Sequence, residues 1–190
     1  MAKEILIHLI VSLVRIFAAI VLSAGAVYTG ISLVDRMTAR IDEWKEIKKG
    51  NLALGILFAA VVASVILLCE SRIVEAVFAI GAGVISPLND GADTSAGAIV
   101  FTLELMLITF VNYIIALGAA SFVVFLSINV IDRITPDLDE LAELKKGNLA
   151  VALILAVSLL LVAFALREPF ESLFDLLKSI EVAILEPVFP

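Results

Sequence analysis

The sequence holds a single cysteine, Cys69, and a single histidine, His8. One cysteine excludes a disulfide within the chain, and these two distant residues cannot assemble a tetrahedral metal set. The lone histidine also removes most Ser-His-Asp schemes, and no metalloprotease or nucleotide-binding motif occurs. No cofactor, metal or nucleic-acid partner is expected, and the chain is expected to be non-enzymatic. Charge is scarce as well, at 17% of residues. The formal charge of -7 sits in short loops and at the ends of apolar runs, which is ordinary solvation rather than an acidic tail.

What is abundant is apolar. Hydrophobic residues make up 62% of the 190 positions, and the mean hydropathy is +1.14. Soluble domains have roughly 45–50% apolar residues, so the composition is that of an integral membrane protein. Lys3, the following apolar stretch and Ala24-Gly25-Ala26 imitate a secretory signal. His8 and Arg15 interrupt that stretch, and it has a counterpart later in the chain, so it reads as a span.

The counterpart belongs to an internal repeat. Asp35-Arg36, Thr38, Asp42-Glu43 and Lys48-Lys49-Gly50-Asn51 recur as Asp132-Arg133, Thr135, Asp139-Glu140 and Lys145-Lys146-Gly147-Asn148, at one constant offset without a gap. Residues 1–97 and 98–190 therefore form two units. Each holds a long and a short apolar run, at about 6–34 and 52–68, then 98–130 and 149–166. The expected fold is all-α, with four transmembrane helices arranged as two parallel-repeat hairpins related by a pseudo-twofold along the membrane normal.

Short interfacial amphipathic helices are expected between the spans of each unit. In the second, Thr135 is placed as N-cap and Pro136 as the first helical residue; in the first, Trp44 is placed at headgroup level. A further interfacial helix is expected over 170–186, and an amphipathic, interfacial or re-entrant segment over 73–85. The loops between spans hold eight basic residues, among them Arg36, Lys48, Lys49, Arg133, Lys145 and Lys146. By the positive-inside rule those loops face the cytoplasm and both termini lie outside a cell (inner) membrane.

Three sets of residues are candidates for function. Ser12, Arg15, Ala19, Ser23, Ala26 and Gly30 form a stripe on the first span, and Thr109, Asn112, Ala116, Ala120, Val123 and Ser127 form its repeat partner on the third. Small residues on one face let helices approach closely, the main source of association in lipid. Helix packing within a homo-oligomer is the favoured reading; a pore for small ions lined by these stripes is the alternative. Gly55, Ala59 and Ala63, with Ala152 and Ala156, add small faces to the short spans. The bilayer centre carries no acid, base or histidine, which disfavours proton-coupled transport.

Arg15 is the second candidate. It lies about 30 Å up the helix from Asp35, near the far interface, where snorkelling is easy. Glu104, also near that boundary, is the expected ion-pair partner of Arg15 or of His8. The third set is the repeated motif Lys48, Lys49, Gly50, Asn51 and Lys145, Lys146, Gly147, Asn148. Here glycine is expected to end the surface helix, asparagine to cap the span, and lysine to anchor at the interface. A phosphate or anionic-lipid site is the functional alternative. The neighbouring acids Glu46 and Glu143 stand at pairing distance from Lys49 and Lys146, and with Asp42, Glu43, Asp139 and Glu140 would otherwise ring a cation-attracting vestibule.

Residues 137–152, from Asp-Leu-Asp-Glu-Leu through Glu-Leu-Lys-Lys-Gly-Asn-Leu-Ala-Val-Ala, resemble the membrane proteins grouped as domain of unknown function 350 (YjfL-like). The resemblance rests on Lys146-Gly147-Asn148 and Lys49-Gly50-Asn51, and covers nearly the whole chain as two tandem units. The first unit departs from the pattern at Ala39 and Trp44. It implies an inner-membrane protein of two-span hairpins without an established activity. The sequence reading is thus of a polytopic protein that associates with itself or with another membrane complex, its surroundings being the lipid bilayer.

Overall fold

The computed structural model describes residues 2–38, 43–80, 96–135 and 139–185. Among them lie six helices and no strand: α1 (Ala2–Met37), α2 (Glu43–Lys48), α3 (Leu52–Ala79), α4 (Ala96–Ile134), α5 (Glu140–Lys145) and α6 (Leu149–Leu185). The stretches Ile5–Met37, Leu52–Ala79, Leu103–Ile134 and Leu149–Leu177 are each long and apolar enough to cross a membrane. A helix is the form such a stretch must take in lipid, because every backbone N–H and C=O then finds its partner within the segment.

The short apolar runs end near Leu68 and Leu166, but the helices do not. α3 continues to Ala79 and α6 to Leu185, carrying Pro169 inside it. Nothing from Cys69 to Arg72 breaks a helix, and the charged residues there find partners across the two helices. Beyond Pro169, whose ring removes one backbone donor, Arg167 bonds Glu171 one turn on and the Phe170 and Phe174 side chains are buried. The segment expected as a separate interfacial helix over 170–186 is therefore the end of α6. The one expected over 73–85 is helical to Ala79, and residues 81–95 lie outside the described ones.

The packing is less symmetric than the repeat. α3 runs against each of α1, α4 and α6, whereas α4 meets α1 and α6 over much shorter stretches. In its most apolar stretch α3 is 56% buried and its repeat counterpart α6 is 33% buried. Sequence explains the difference. Where α3 has the buried Ala60 and Ser64, the same repeat positions of α6 have the exposed Val157 and Leu161. Small residues let neighbours close on α3 from several sides, while bulky ones hold them off α6. The expected pseudo-twofold is accordingly broken at the level of packing, with the second span as hub.

The core lies along α3. Leu54, Val61, Val65 and Leu68 pack with Ala26 and Val34 of α1, Ala116 and Ala120 of α4, and Leu155 and Leu159 of α6. At Gly30 the α1 backbone comes so near that an added Cβ would stand 2.9 Å from the Val62 Cα.

Candidate functional site

The two Lys-Lys-Gly-Asn motifs come together at one end of the bundle. In each, the surface helix ends through a pair of closing hydrogen bonds: Asn51 N–H to Glu46 O and Gly50 N–H to Ile47 O, repeated as Asn148 to Glu143 and Gly147 to Leu144. This closure needs a left-handed residue, and Gly50 and Gly147 supply it with φ of 88° and 82°. The next residue starts the span. Asn51 Oδ1 accepts from the Ala53 and Leu54 N–H groups, and Asn148 Oδ1 from those of Ala150 and Val151.

The asparagines differ in what their amides do. Asn51 Nδ2 donates to Leu144 O at 2.9 Å and Lys145 O at 3.3 Å, tying the start of α3 to the end of α5 in the other unit. Asn148 Nδ2 donates to Glu143 Oε2 of its own unit at 2.8 Å. Lys49 pairs with Glu46 and Lys146 with Glu143, each at 2.6 Å. The bonds from Asn148 and Lys146 hold the Glu143 carboxyl below its ordinary range, and Glu143 in turn raises Lys146.

The short helix α5 starts four residues later than expected. Asp139, not Thr135, is its N-cap, accepting from Ala142 N–H at 3.0 Å. Thr135 instead bonds Ile131 O and the Glu140 carboxyl, and Pro136 lies outside the described residues. Glu140, only 7% exposed, faces a cavity of about 90 Å³ with Thr38, Asn129 and Asp132. Of the proposed vestibule acids, Glu46 and Glu143 are thus engaged by lysine, Glu140 is buried, and the side chains of Asp42 and Glu43 lie outside the described residues. Trp44 is half exposed and meets the Phe58 ring edge-on at 5.7 Å.

Midway along the spans, Tyr113 of α4 is 3% exposed and donates its hydroxyl to Leu22 O of α1 at 2.5 Å. Gly25 makes room for it: a Cβ there would lie 2.9 Å from Tyr113 Oη. A hydroxyl buried in an apolar layer needs such an acceptor.

At the opposite end from the motifs, α3 and α6 exchange charges. Arg72 of α3, 4% exposed, donates to Glu75 at 2.7 Å and to Asp175 of α6 at 3.4 Å, and lies over the Phe174 ring. Arg167 of α6 reaches back to Glu70 of α3 at 3.1 Å. Arg15 of α1 does not pair with Glu104. Its Nε donates to Ile80 O at 2.9 Å and its Nη2 to Phe78 O at 3.2 Å, with the guanidinium over the Phe78 ring. The unpaired carbonyls at a helix C-terminus attract a cation as a carboxylate would, and here they lie closer to hand.

Residues 8–109 and 102–185 each match the model of one family, described as Domain of Unknown Function (DUF350). The chain belongs to the DUF350 family. Its two units are tandem copies of that domain, and no curated protein or solved structure matches the chain.

In this DUF350 protein the small-residue stripes divide along their length. Ala26 and Gly30 of α1, and Thr109, Ala116 and Ala120 of α4, are buried inside the single chain. Ser12 is exposed and bonds His8 O; Ala19, Ser23, Asn112, Val123 and Ser127 are half-buried. The small faces of the short spans divide too. Ala152 and Ala156 of α6 are buried, whereas an added Cβ at Gly55 meets nothing within 4 Å and Ala59 and Ala63 are exposed. Sequence reading passed over Tyr113 and Arg72. For Tyr113 the available signal was a hydroxyl-bearing aromatic inside one span and a glycine among small residues in another. For Arg72 it was an arginine flanked by Glu70 and Glu75 just beyond an apolar run.

Proposed function

We propose that this DUF350 chain is a non-enzymatic protein of a cell membrane that assembles with copies of itself or joins another membrane complex, through the Gly55, Ala59 and Ala63 face of α3. One contrast carries the reading. Ala152 and Ala156 of α6, at the repeat positions of Gly55 and Ala59, are covered by the chain's own helices, while this face, on the most heavily packed helix, is left open. In lipid, apolar contact alone gains little over the acyl chains, and small faces that bring backbones close are what favour association. The basic residues of the inter-span loops, read by the positive-inside rule, support an orientation with the motif end in the cytoplasm and the termini outside.

Native mass spectrometry in mild detergent tests it. Wild-type chains are expected as dimers or larger, and Ala59→Leu, which fills the face without touching the chain's own core, as monomers. Monomeric wild type would end the proposal.

The other two readings draw less support. A pore across an oligomer, lined by the first and third spans, draws less support because Ala26, Gly30, Ala116 and Ala120 of those stripes are already buried within one chain. An anion at the paired motifs would find four of the helix-start N–H groups already taken by Asn51 and Asn148, and Lys49 and Lys146 already paired.

A further inference from the structure

Arg15 carries a charge that no anion answers among the described residues; its partners are two carbonyls and a ring. Nε and one Nη2 hydrogen are committed, which leaves the Nη1 donors and the net positive charge unmatched. The helix rise puts Arg15 about 30 Å from the charged end of α1 at Asp35, one hydrocarbon thickness away and so at the level of lipid phosphates.

Directly below Arg15 an apolar groove of about 550 Å³ runs between α1, α4 and the end of α3. Ile80, whose carbonyl Arg15 binds, lines its rim; Phe17 and Ala18 form one wall, Leu107 and Phe110 the other. Leu22, about 10 Å further along α1, lies at its deep end, where Tyr113 joins the two helices. Phe17 and Leu107 are 68% and 64% exposed, so the groove opens toward lipid.

We propose that this groove is a phospholipid site, holding one acyl chain of an anionic phospholipid whose phosphate sits on the Arg15 guanidinium. A planar guanidinium binds phosphate oxygens through paired donors, and the apolar channel starts where that phosphate would hand over to its acyl chains. The site lies on α1, α4 and the end of α3, apart from the open Gly55, Ala59 and Ala63 face, and does not depend on self-association.

The full-length chain, purified in detergent, is mixed with phosphatidylglycerol or with diacylglycerol of the same chains, and retention is read by native mass spectrometry. Wild type is expected to keep one phosphatidylglycerol per chain and at least tenfold less diacylglycerol. Ala18→Phe, which fills the groove and spares Arg15, and Arg15→Gln are each expected to lower retention at least tenfold; Lys145→Gln, at the other end, leaves it unchanged. Equal retention of diacylglycerol, or wild-type retention in Ala18→Phe, overturns the proposal. A photoreactive phenylalanine at position 17 checks it without altering the groove. Crosslinks to lipid support the site, and crosslinks to a second protein chain instead overturn it.

Discussion

Asn51 donates its side-chain amide to the carbonyl of Leu144 at 2.9 Å, so the residue that starts the second span also holds the end of the other unit's surface helix. One side chain thereby does two jobs: its oxygen caps α3, and its nitrogen fixes the two repeat units to each other. Asn51→Ala is expected to lose about 1 kcal/mol for the cap and a further ~1 kcal/mol for the inter-unit bond. Asn51→Asp keeps the acceptor and loses only the second part. Thermal unfolding in detergent measures both; an Asn51→Asp variant as stable as wild type would show that the inter-unit bond contributes nothing.

Gly25 and Gly30 are close-approach positions of different kinds. A Cβ on Gly30 meets the Val62 backbone, which cannot turn away, whereas one on Gly25 meets only the Tyr113 hydroxyl. Each alanine variant is expected to cost about 1–3 kcal/mol by overpacking. Tyr113→Phe should relieve Gly25→Ala and leave Gly30→Ala unrelieved. A double-mutant cycle on thermal stability reads this, and additive losses for Gly25 and Tyr113 would contradict it.

Gly50 and Gly147 are required by backbone conformation, not by space. A Cβ on Gly50 meets nothing within 4 Å, and the residue's φ is +88°. Gly50→Ala is expected to cost about 1 kcal/mol and Gly50→Asn less, since asparagine tolerates the left-handed region. Similar losses for both variants would place the cost elsewhere.

The Glu143 carboxyl titrates below its ordinary range because Asn148 and Lys146 bond it, in that order of importance. A lowered folded value means the contribution is complete above the unfolded value and is lost as pH falls through the folded one, below the ordinary glutamate range. Lys146 is raised by the same pair, so its share is complete below its ordinary value and lost only as pH rises beyond it. The difference in melting temperature between wild type and Glu143→Gln should therefore be flat from about pH 5 to 10 and shrink below it. A difference that grows as the solution is acidified would contradict the assignment.

Much of this architecture is legible in the sequence because a membrane imposes it. A run such as Leu52–Leu68 has to become a helix in lipid, and an offset that repeats Lys-Lys-Gly-Asn without a gap has to give two like hairpins. The turn itself is legible, since glycine followed by asparagine supplies both the left-handed residue and the cap. Packing is less so. The broken symmetry turns on the buried Ala60 and Ser64 standing where the repeat has Val157 and Leu161, a difference of side-chain bulk within two equally apolar runs. The Arg15 partner was missed because charge invites a search for Glu104, whereas the last carbonyls of α3, invisible in sequence, lay nearer.

The proposed assembly through α3 is tested most directly by cysteine crosslinking in native membranes. Cys69 is the chain's sole cysteine and is buried, so Cys69→Ala gives a clean background. Ala59→Cys in that background is expected to form a covalent dimer on mild oxidation, while Leu161→Cys, on the exposed bulky face of α6, is not. Dimers through Leu161→Cys and none through Ala59→Cys would contradict the account.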